Sequence, residues 1–551
     1  MTKFILPLIL VLAAFFRLYN LSHLPISLFG DEVDVGYHAW SLITTGRDYM
    51  GNLLPSYIKS LSESRAPFLM YVTTPFVGLL GPSAFSVRLP TAMLGVLGVY
   101  LIFLLAKKLF PDKKYLGLLS AFILGLTPWH IHYSRAAFES VLLLDLIMLG
   151  AYLFLSEKIT LALVFFSLTL YTYSTANIFS PLLLLGLYLL FSPKLNIKKD
   201  YLKFIPALII VIPIAYQIIF GQAAGRFKNI SIFSDQKLVD SVVIQRTDPW
   251  VKNQLADRVF TNKYEAIFRE FLKNYTNAFN KDFLFVNGDP YFRHSVGRVG
   301  EFLWPILPLF LLGLAVLIRT LGRSEKLLLL WLFLAPFPSA LTQGGSTHAT
   351  RLFILIPPIC LISALGANMV IKVMKKLKLK NIAFALYGLI VLYSFAVYWN
   401  RYSAHYAYES AKFWHYGFED IFTKLQTHLP VKGKLYINNS YEPSLIRFAF
   451  FTKLPPTQFQ KMFVTDNPGS YKSDLFNGFR FGENIYFGQA RDLASLIKLL
   501  SPGDIYMAVQ GKDVPGDWDW SATPPEGLRV LEETNDIFGK PLFYLVTKRD
   551  I

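Results

Sequence analysis

Residues 84–106 read AFSVRLPTAMLGVLGVYLIFLLA and are followed directly by Lys107 and Lys108. An α-helix needs roughly 20 apolar residues to cross the hydrocarbon core of a bilayer, and this stretch is long enough. Lys and Arg collect in the cytoplasmic loops of membrane proteins. The stretch therefore predicts a transmembrane helix whose C-terminal end lies on the cytoplasmic side.

The composition of the whole chain agrees with a membrane protein. Of its 551 residues, 53% are hydrophobic and 17% are charged, and its mean hydropathy is +0.40. Soluble proteins carry about 25% charged residues, so a disordered or purely soluble chain is excluded. The single cysteine, Cys360, excludes an intrachain disulfide framework and a thiolate zinc cluster.

Ten further apolar stretches resemble the first one. Together the eleven predict an α-helical polytopic membrane protein with about eleven spans. These spans are 4–20, 84–106, 115–131, 139–156, 159–173, 178–192, 203–220, 301–319, 326–341, 350–371 and 381–398. The first span is expected to remain as an anchor, because bulky residues follow its apolar core where a cleavage site needs small ones.

The distribution of positive charge along the chain indicates how the chain is oriented in the membrane. The chain has 54 Lys and Arg against 37 Asp and Glu, a net charge of +17. With the N-terminus inside, the predicted cytoplasmic loops hold 18 of the Lys and Arg and only four acidic residues. Most of the excess is thus a mark of topology, and no nucleic-acid partner is expected. The polar stretches 21–83, 221–300 and 399–551 are all predicted to be external.

The tail differs in kind from the rest of the chain. Short β-like runs occur at 434–437, 504–509 and 542–546, and residues 490–500 have the pattern of an amphipathic helix. We therefore predict two domains, a membrane domain over 1–400 and an extracytoplasmic α/β domain over 401–551.

Carboxylates occur early in the first predicted external loop. Asp31, Glu32 and Asp34 follow the first span, and Glu63 and Arg65 precede the next apolar stretch. Carboxylates at a membrane face are costly to desolvate, so such a cluster faces water or a polar cavity. The alternative is a solvated interfacial loop without a functional role.

A second concentration of polar groups lies in the predicted hairpin 127–140. It contains His130, His132, Arg135 and Glu139. The alternative interpretation is that Arg135 and Glu139, four residues apart, simply pair on one helical turn. Asp145 lies deeper in the same apolar stretch and is either a site residue or a buried packing partner.

Basic and imidazole groups recur at other predicted external edges. Arg293 and His294 precede the eighth span, and His348 and Arg351 open the tenth. Taken singly, an Arg at a helix end often extends its head group to the lipid surface. Their joint occurrence on the side that carries the carboxylates favours an anionic ligand such as a lipid phosphate.

These residues resemble motifs of the GT-C superfamily of integral-membrane glycosyltransferases, in the branch of the protein O-mannosyltransferases and the lipid A aminoarabinose transferases. The resemblance covers residues 1–400. It rests on Gly30-Asp31-Glu32, the turn 45–48, Glu63 ahead of a proline, the helix opening 85–90, Ser134-Arg135 with Glu139, and the Gly-Gly-x-x-His-x-x-Arg stretch 344–351. One departure is Glu-Ser-Arg-Ala-Pro at 63–67, where the aminoarabinose transferases tend to have a Lys between Glu and Pro.

The resemblance implies transfer of a sugar, with inversion, from a polyprenyl-phosphate carrier to an external acceptor hydroxyl on a glycan, lipid or protein. Asp31 would act as the base, and Glu32 and Glu139 would orient the acceptor or a divalent ion. The expected substrate-binding residues, among them the cations that stabilise the leaving phosphate, are Glu63, Arg65, Arg135, Arg293, His294, His348 and Arg351.

No cofactor is required by this chemistry. If Mg²⁺ or Mn²⁺ is present, the expected ligands are Asp31, Glu32 and Glu139, with His130 and His132 as further candidates. The expected setting is a prokaryotic plasma membrane, with the active site and the C-terminal domain outside. Two other classes remain open, a transporter or flippase of a glycolipid or ion, and a non-catalytic sensor.

Overall fold

The computed structural model describes residues 2–61, 64–191, 201–221, 229–248, 254–374, 380–429, 431–465 and 468–549. The chain forms two compact units. The larger unit comprises Met1–Tyr19, Ser56–Leu69 and Leu89–Tyr406. The smaller unit comprises Asn20–Pro55, Met70–Arg88 and Ala407–Ile551, so it combines two early segments with the tail.

The larger unit is almost entirely helical. Its helices are Thr2–Leu18, Leu116–Gly125, Pro128–Ser134, Glu139–Leu155, Ile159–Thr169, Ala176–Phe191, Ile205–Ile219, Gln236–Arg246, Gln254–Phe260, Lys263–Asn277, Ile306–Thr320, Arg323–Leu334, Phe337–Ala340, Ala349–Leu352, Ile356–Met374 and Lys380–Asn400. Two more helices, Phe68–Leu80 and Ala84–Leu109, contribute to both units. A two-stranded antiparallel hairpin pairs β1, Ile58–Lys59, with β2, Ser64–Arg65.

Three described helices are long and apolar enough to cross a membrane: Ala84–Leu109, Ala349–Met374 and Asn381–Ser410. A fourth span results if the bent pair Pro128–Ser134 and Glu139–Leu155 is taken as one. Most other predicted spans coincide with apolar helices of 10–17 residues. The chain is thus a helical membrane protein with a C-terminal sheet, and the count of eleven spans remains a prediction.

Three boundaries differ from the sequence prediction. The helix expected over 115–131 ends at Gly125 and a new helix begins at Pro128, because a proline lacks the N–H that would continue the ladder. The helix expected over 326–341 ends at Leu334, ahead of two further prolines. Finally, the predicted external loop 21–83 contains the apolar helix Phe68–Leu80, whose 13 residues are fewer than a span needs.

Three ionisable side chains are buried together within the larger unit. An Nη2 hydrogen of Arg17 is donated to His130 Nδ1 at 2.7 Å, so Nε2 of the neutral imidazole carries the proton. The carboxylate of Asp145 and the Nε2 of His130 both approach Gly98, at 2.6 and 3.3 Å from where a Cβ would be. Asp145 is therefore buried against the helix Ala84–Leu109, beside the imidazole of His130.

We expect Gly98→Ala to destabilise the chain. The added methyl would lie 2.6 Å from Asp145 Oδ1, so the carboxylate or the helix must move. Overpacking of this kind costs about 1–3 kcal/mol, and here it also disturbs buried polar groups. The measurement is the thermal unfolding midpoint in detergent, with Gly388→Ala as control because its Cβ would meet nothing within 4 Å. Equal midpoints for the two variants would contradict this expectation.

The smaller unit is built on a seven-stranded sheet in the order β4-β5-β6-β3-β7-β9-β8. Its strands are β3 Leu435–Asn438, β4 Gly469–Lys472, β5 Phe476–Phe481, β6 Ile485–Ala490, β7 Ile505–Val509, β8 Leu528–Asn535 and β9 Pro541–Lys548. Its main helices are Gly30–Thr45, Phe418–Gln426, Leu445–Phe451, Pro456–Gln460 and Leu493–Leu499. β3 is parallel to both β6 and β7, and all other neighbours are antiparallel.

The α/β character predicted for the tail is confirmed. The three β-like runs form β3, β7 and β9, and the amphipathic stretch forms Leu493–Leu499, capped by Asp492, which accepts from Ser495 N at 2.7 Å. Helices cover both faces of the sheet. Leu496 packs with Tyr436 and Tyr486 on one face, and Phe448 packs against Phe487 on the other.

Candidate functional site

The site in the larger unit begins at a sharp bend. Pro128–Ser134 and Glu139–Leu155 meet at 115°, and Glu139 is the first residue of the second helix. Unpaired N–H groups in that first turn favour a carboxylate. Arg65, buried on β2, places Nη1 3.7 Å from Glu139 Oε1. The predicted catalytic residue Glu139 and the predicted binding residue Arg65 are therefore neighbours.

Arg135 and Glu139 do not share a helical turn, so the simple i,i+4 interpretation is wrong. Arg135 ends the shorter helix, and the bend separates it from Glu139. Its guanidinium is fully buried, donates to the carbonyl of Phe16 at 2.8 Å, and lies 5.3 Å from the ring centre of Tyr402. These contacts hold the bend against the end of the first helix.

Asp289, His294 and His348 form a compact group that the sequence analysis did not recognise as a set. The His294 Nδ1 and Asp289 Oδ2 atoms are 3.2 Å apart, and the two imidazole ring centres are 4.7 Å apart. One ligand atom of each residue lies within 4.8 Å of the others. The backbone N–H of Ala349 also donates to Asp289 Oδ2, at 2.9 Å, which anchors the start of the helix after His348.

The protonation of Asp289 and His348 suits the binding of a cation. Burial, followed by the nearby positive charges of Arg351 and His294, lowers the pKa of His348 to about 3, so its imidazole is neutral near pH 7. Burial would raise the pKa of Asp289, but its hydrogen bond and charge interaction with His294 and two backbone hydrogen bonds hold it below its ordinary value. Among the described atoms, His348 Nδ1 is buried without a hydrogen-bond partner.

These protonation states change one expectation. His348 was expected to supply positive charge to a leaving phosphate, but a neutral imidazole supplies a lone pair or an N–H instead. A carboxylate with two imidazoles is a donor set typical of Zn²⁺ and related transition metals rather than of Mg²⁺. Among the described residues of this unit, Asp289, His294 and His348 therefore form a group that can hold a metal.

Side-chain contacts link the group of Asp289, His294 and His348 to the bend between Pro128–Ser134 and Glu139–Leu155. The ring of Phe138, next to Glu139, lies 6.4 Å from the His294 ring. The hydroxyls of Tyr133 and Thr350 are 2.9 Å apart, which connects the bent pair to the helix that follows His348. Within the larger unit the structure thus brings Arg65, Glu139, His294 and His348 into one neighbourhood.

The two remaining predicted cations are partly buried, Arg293 in a loop and Arg351 in the short helix Ala349–Leu352. Arg293 lies with its guanidinium 5.4 Å from the ring centre of Tyr291, and its carbonyl accepts a hydrogen bond from His132 Nε2 at 2.8 Å. Arg351 donates to Thr342 Oγ1 at 2.6 Å and to the Gln343 carbonyl at 2.8 Å. Glu63, which the sequence also singled out, lies outside the described residues.

Asp31 and Glu32 belong to the smaller unit. Both lie in the first turn of Gly30–Thr45, where Asp31 is half-buried and Glu32 is fully buried. The guanidinium of Arg88 holds Glu32 with two hydrogen bonds, Nε to Oε1 at 2.8 Å and Nη2 to Oε2 at 3.0 Å. Glu32 Oε2 also accepts from the backbone N–H of Phe29 at 3.3 Å, so Glu32 fixes the start of this helix.

Arg447 is a cation that the sequence analysis missed. It lies in Leu445–Phe451, is buried, and places Nη2 3.0 Å from where a Cβ on Gly30 would be, next to Asp31. His415 Nδ1 accepts from Arg447 Nη2 at 2.6 Å. A lone arginine within the aromatic run Leu-Ile-Arg-Phe-Ala-Phe-Phe was the available signal, because an isolated charge in such a run needs a partner.

The fold is shared with known membrane glycosyltransferases. Across 98% of its length the chain matches 97% of ArnT from Cupriavidus metallidurans bound to undecaprenyl phosphate, with a TM-score of 0.55 and 13% identity. It also matches the oligosaccharyltransferase AglB from Archaeoglobus fulgidus, in complex with an inhibitory peptide and a dolichol-phosphate, with a TM-score of 0.50 and 13% identity. That match covers 81% of this chain and 63% of AglB. The chain therefore has a fold similar to those of ArnT and AglB.

The sequence itself matches one family model. Residues 64–218 match the family described as dolichyl-phosphate-mannose-protein mannosyltransferase. No curated protein matches the chain at a significant level. The family match and the fold agree with the GT-C branch that the motifs indicated.

Proposed function

We propose that the chain is a membrane glycosyltransferase that moves a sugar from a polyprenyl-phosphate carrier to an acceptor hydroxyl on the external face. The observation that carries this proposal is the first turn of Gly30–Thr45. There Asp31 is half-buried beside Glu32, and Glu32 is held rigidly by Arg88. This turn occurs in a chain whose fold, over nearly its whole length, is that of a protein solved with undecaprenyl phosphate.

The proposed reaction is a single displacement. The acceptor hydroxyl gives its proton to the Asp31 carboxylate as its oxygen attacks the anomeric carbon. The bond from that carbon to the phosphate oxygen breaks, and the carrier phosphate leaves with the electron pair. Attack from the face opposite the phosphate inverts the anomeric centre. Arg293 and Arg351 are the side chains assigned to the negative charge that grows on the phosphate.

Glu32 and Glu139 receive supporting roles. Because Arg88 already binds both oxygens of Glu32, the most economical role for this carboxylate is to position Asp31. Glu139 is only partly exposed beside Arg65, and we assign it to orienting the acceptor. A guanidinium competes with a metal ion for a carboxylate, so both pairings argue against a metal held by Asp31, Glu32 and Glu139.

We place a divalent cation instead on Asp289, His294 and His348. When bound, it would supply positive charge and would cross-link the loop of Asp289 to the start of Ala349–Leu352. Purified protein is expected to carry about one equivalent of Zn²⁺ or Mn²⁺ by elemental analysis, and His294→Ala is expected to lose it. The control is His428→Ala, which removes a histidine that is likewise 3.2 Å from a carboxylate, that of Glu532. Metal-free wild-type protein, or retention of metal in His294→Ala, would contradict this assignment.

The function itself is tested with purified protein and a panel of polyprenyl-phosphate sugars. Release of carrier phosphate that depends on an added acceptor supports the transferase. Movement of intact lipid-linked sugar across a vesicle membrane without cleavage would support the flippase alternative instead.

A further inference from the structure

The sheet of the smaller unit has a topological switch point. β3, β6 and β7 are parallel, so their carboxyl ends share one edge. After β3 the chain enters Leu445–Phe451 on one face of the sheet, and after β6 it enters Leu493–Leu499 on the other. The two connections therefore diverge between neighbouring strands β3 and β6. Crevices of this kind, at the carboxyl ends of parallel strands, are where open α/β sheets bind ligands.

A cavity of about 630 Å³ lies at this position. Asn439 and Ser440 line it from the end of β3, and Gln489 and Arg491 line it from the end of β6. Two backbone hydrogen bonds hold its walls, from Asn439 N to the Gly488 carbonyl at 2.9 Å and from Arg491 N to the Leu475 carbonyl at 3.1 Å. The volume lies in the range of small-molecule binding pockets.

The lining has the chemistry of a site for hydroxyl groups. Besides the residues just named, Asn477 on β5 and Ser473 and Asp474 in the β4–β5 turn contribute polar side chains. Amides and hydroxyls both donate and accept hydrogen bonds, as sugar hydroxyls do. Among the described residues that line the cavity, Asp474 and Arg491 are the charged ones, and their opposite charges cancel. A phosphate or nucleotide would favour an excess of positive charge, which this cavity does not have.

The cavity also has an aromatic wall. Asn477 and Gln489 are directly opposite each other in the ladder, as are Phe479 and Phe487 two residues away, so all four lie on one face of the sheet. The Phe479 ring is half-buried and is stacked on Phe487, with 5.4 Å between ring centres. A flat ring beside planar amides fits a pyranose, whose C–H face is apolar and whose edge carries hydroxyls.

A network of buried hydrogen bonds holds the rim of the cavity in place. Asp513 accepts from Asn438 Nδ2 at 2.6 Å and from the Tyr506 hydroxyl at 2.9 Å, which connects the ends of β3 and β7. The same hydroxyl accepts from Ala490 N at 3.2 Å, at the end of β6, and Asn438 Oδ1 accepts from Ser440 N at 2.8 Å. The ends of all three parallel strands are thus held in place before any ligand arrives.

We propose that this cavity is a binding site for an uncharged oligosaccharide. It is a separate site from the residues assigned to sugar transfer, and its ligand is measured by binding alone. Failure of the proposal and failure of the transferase assignment are therefore distinguishable.

The test uses the full chain in lauryldimethylamine oxide, since maltoside detergents carry sugars themselves. Binding is screened on an array of neutral and acidic oligosaccharides and of nucleotides, and the best-bound neutral trisaccharide is then titrated by calorimetry. Asn477→Ala and Arg491→Ala are expected to weaken this binding about tenfold each, as lost hydrogen bonds do. Asn535→Ala and Arg529→Ala are matched controls, because both residues are exposed on β8, at the opposite edge of the sheet.

Weaker binding in Asn477→Ala and Arg491→Ala, with unchanged affinity in the controls and unchanged thermal unfolding in all four variants, would support the proposal. Unchanged affinity in Asn477→Ala and Arg491→Ala would overturn it. Absence of binding to every neutral oligosaccharide would overturn it, as would preference for nucleotides or acidic sugars. Equal loss of binding in the control variants would overturn it as well, because the ligand would then not depend on this cavity.

Discussion

Asp31→Asn is expected to lower sugar transfer by about 10²–10⁴-fold, the range that a positioned general base contributes. The amide has nearly the same shape as the carboxylate but cannot take the proton of the acceptor hydroxyl. Folding and carrier binding should persist, since Glu32 and Arg88 still fix the first turn of the helix. Transfer is measured as release of carrier phosphate under saturating donor, and carrier binding is measured separately.

The control for this variant is Asp112→Asn, which changes an exposed aspartate in a predicted cytoplasmic loop and should leave transfer unchanged. Full transfer activity in Asp31→Asn would contradict the assignment of Asp31 as the general base. A parallel loss of carrier binding or of folded protein would show that Asp31 is structural.

Arg88→Met is expected to destabilise the protein by about 3–5 kcal/mol, because it removes the guanidinium that balances the charge of the fully buried Glu32 carboxylate. The guanidinium also donates to the carbonyls of Leu21 and Pro25, at 3.2 and 2.7 Å, and these acceptors would lose their donor. The measurement is the midpoint of unfolding in detergent, and unfolding is monitored by the fluorescence of the buried tryptophans.

The double variant Glu32→Gln with Arg88→Met serves as the internal control. It removes the stranded charge, so it should recover part of the stability that Arg88→Met loses. This account of the pair would be contradicted if Arg88→Met were as stable as the wild type. It would also be contradicted if the double variant lost more stability than the two single variants lose together.

Much of the fold was predictable because it depends on local patterns. The 84–106 stretch forms a span-length helix, and the runs at 434–437, 504–509 and 542–546 form strands of the sheet. Periodicity of this kind is carried by residues close together in the chain. β4, β5, β6 and β8 were not predicted. In β4 and β5, glycine and polar residues interrupt the apolar pattern, so the signal is weak.

The candidate site was predicted residue by residue but not as an arrangement. The sequence singled out Arg65 and Glu139 separately, and it offered a pairing of Glu139 with Arg135 by helical spacing only as an alternative interpretation. The bend after Pro128–Ser134 removes that spacing, and the hairpin of β2 brings Arg65 in its place. No local sequence pattern marked Asp289 as a candidate site residue.

The sequence by itself thus determined that this chain is a membrane protein with an α/β tail, and which polar residues lie near the ends of its apolar stretches. Only the tertiary structure decided which of them are partners: Arg88 with Glu32, 56 residues apart, and Asp289 with His294 and His348. The physical reason is that hydrophobic periodicity follows from neighbours in the chain. The partner of a buried charge, in contrast, is chosen by the packing of segments that are distant in sequence, where an unpaired charge is too costly to leave.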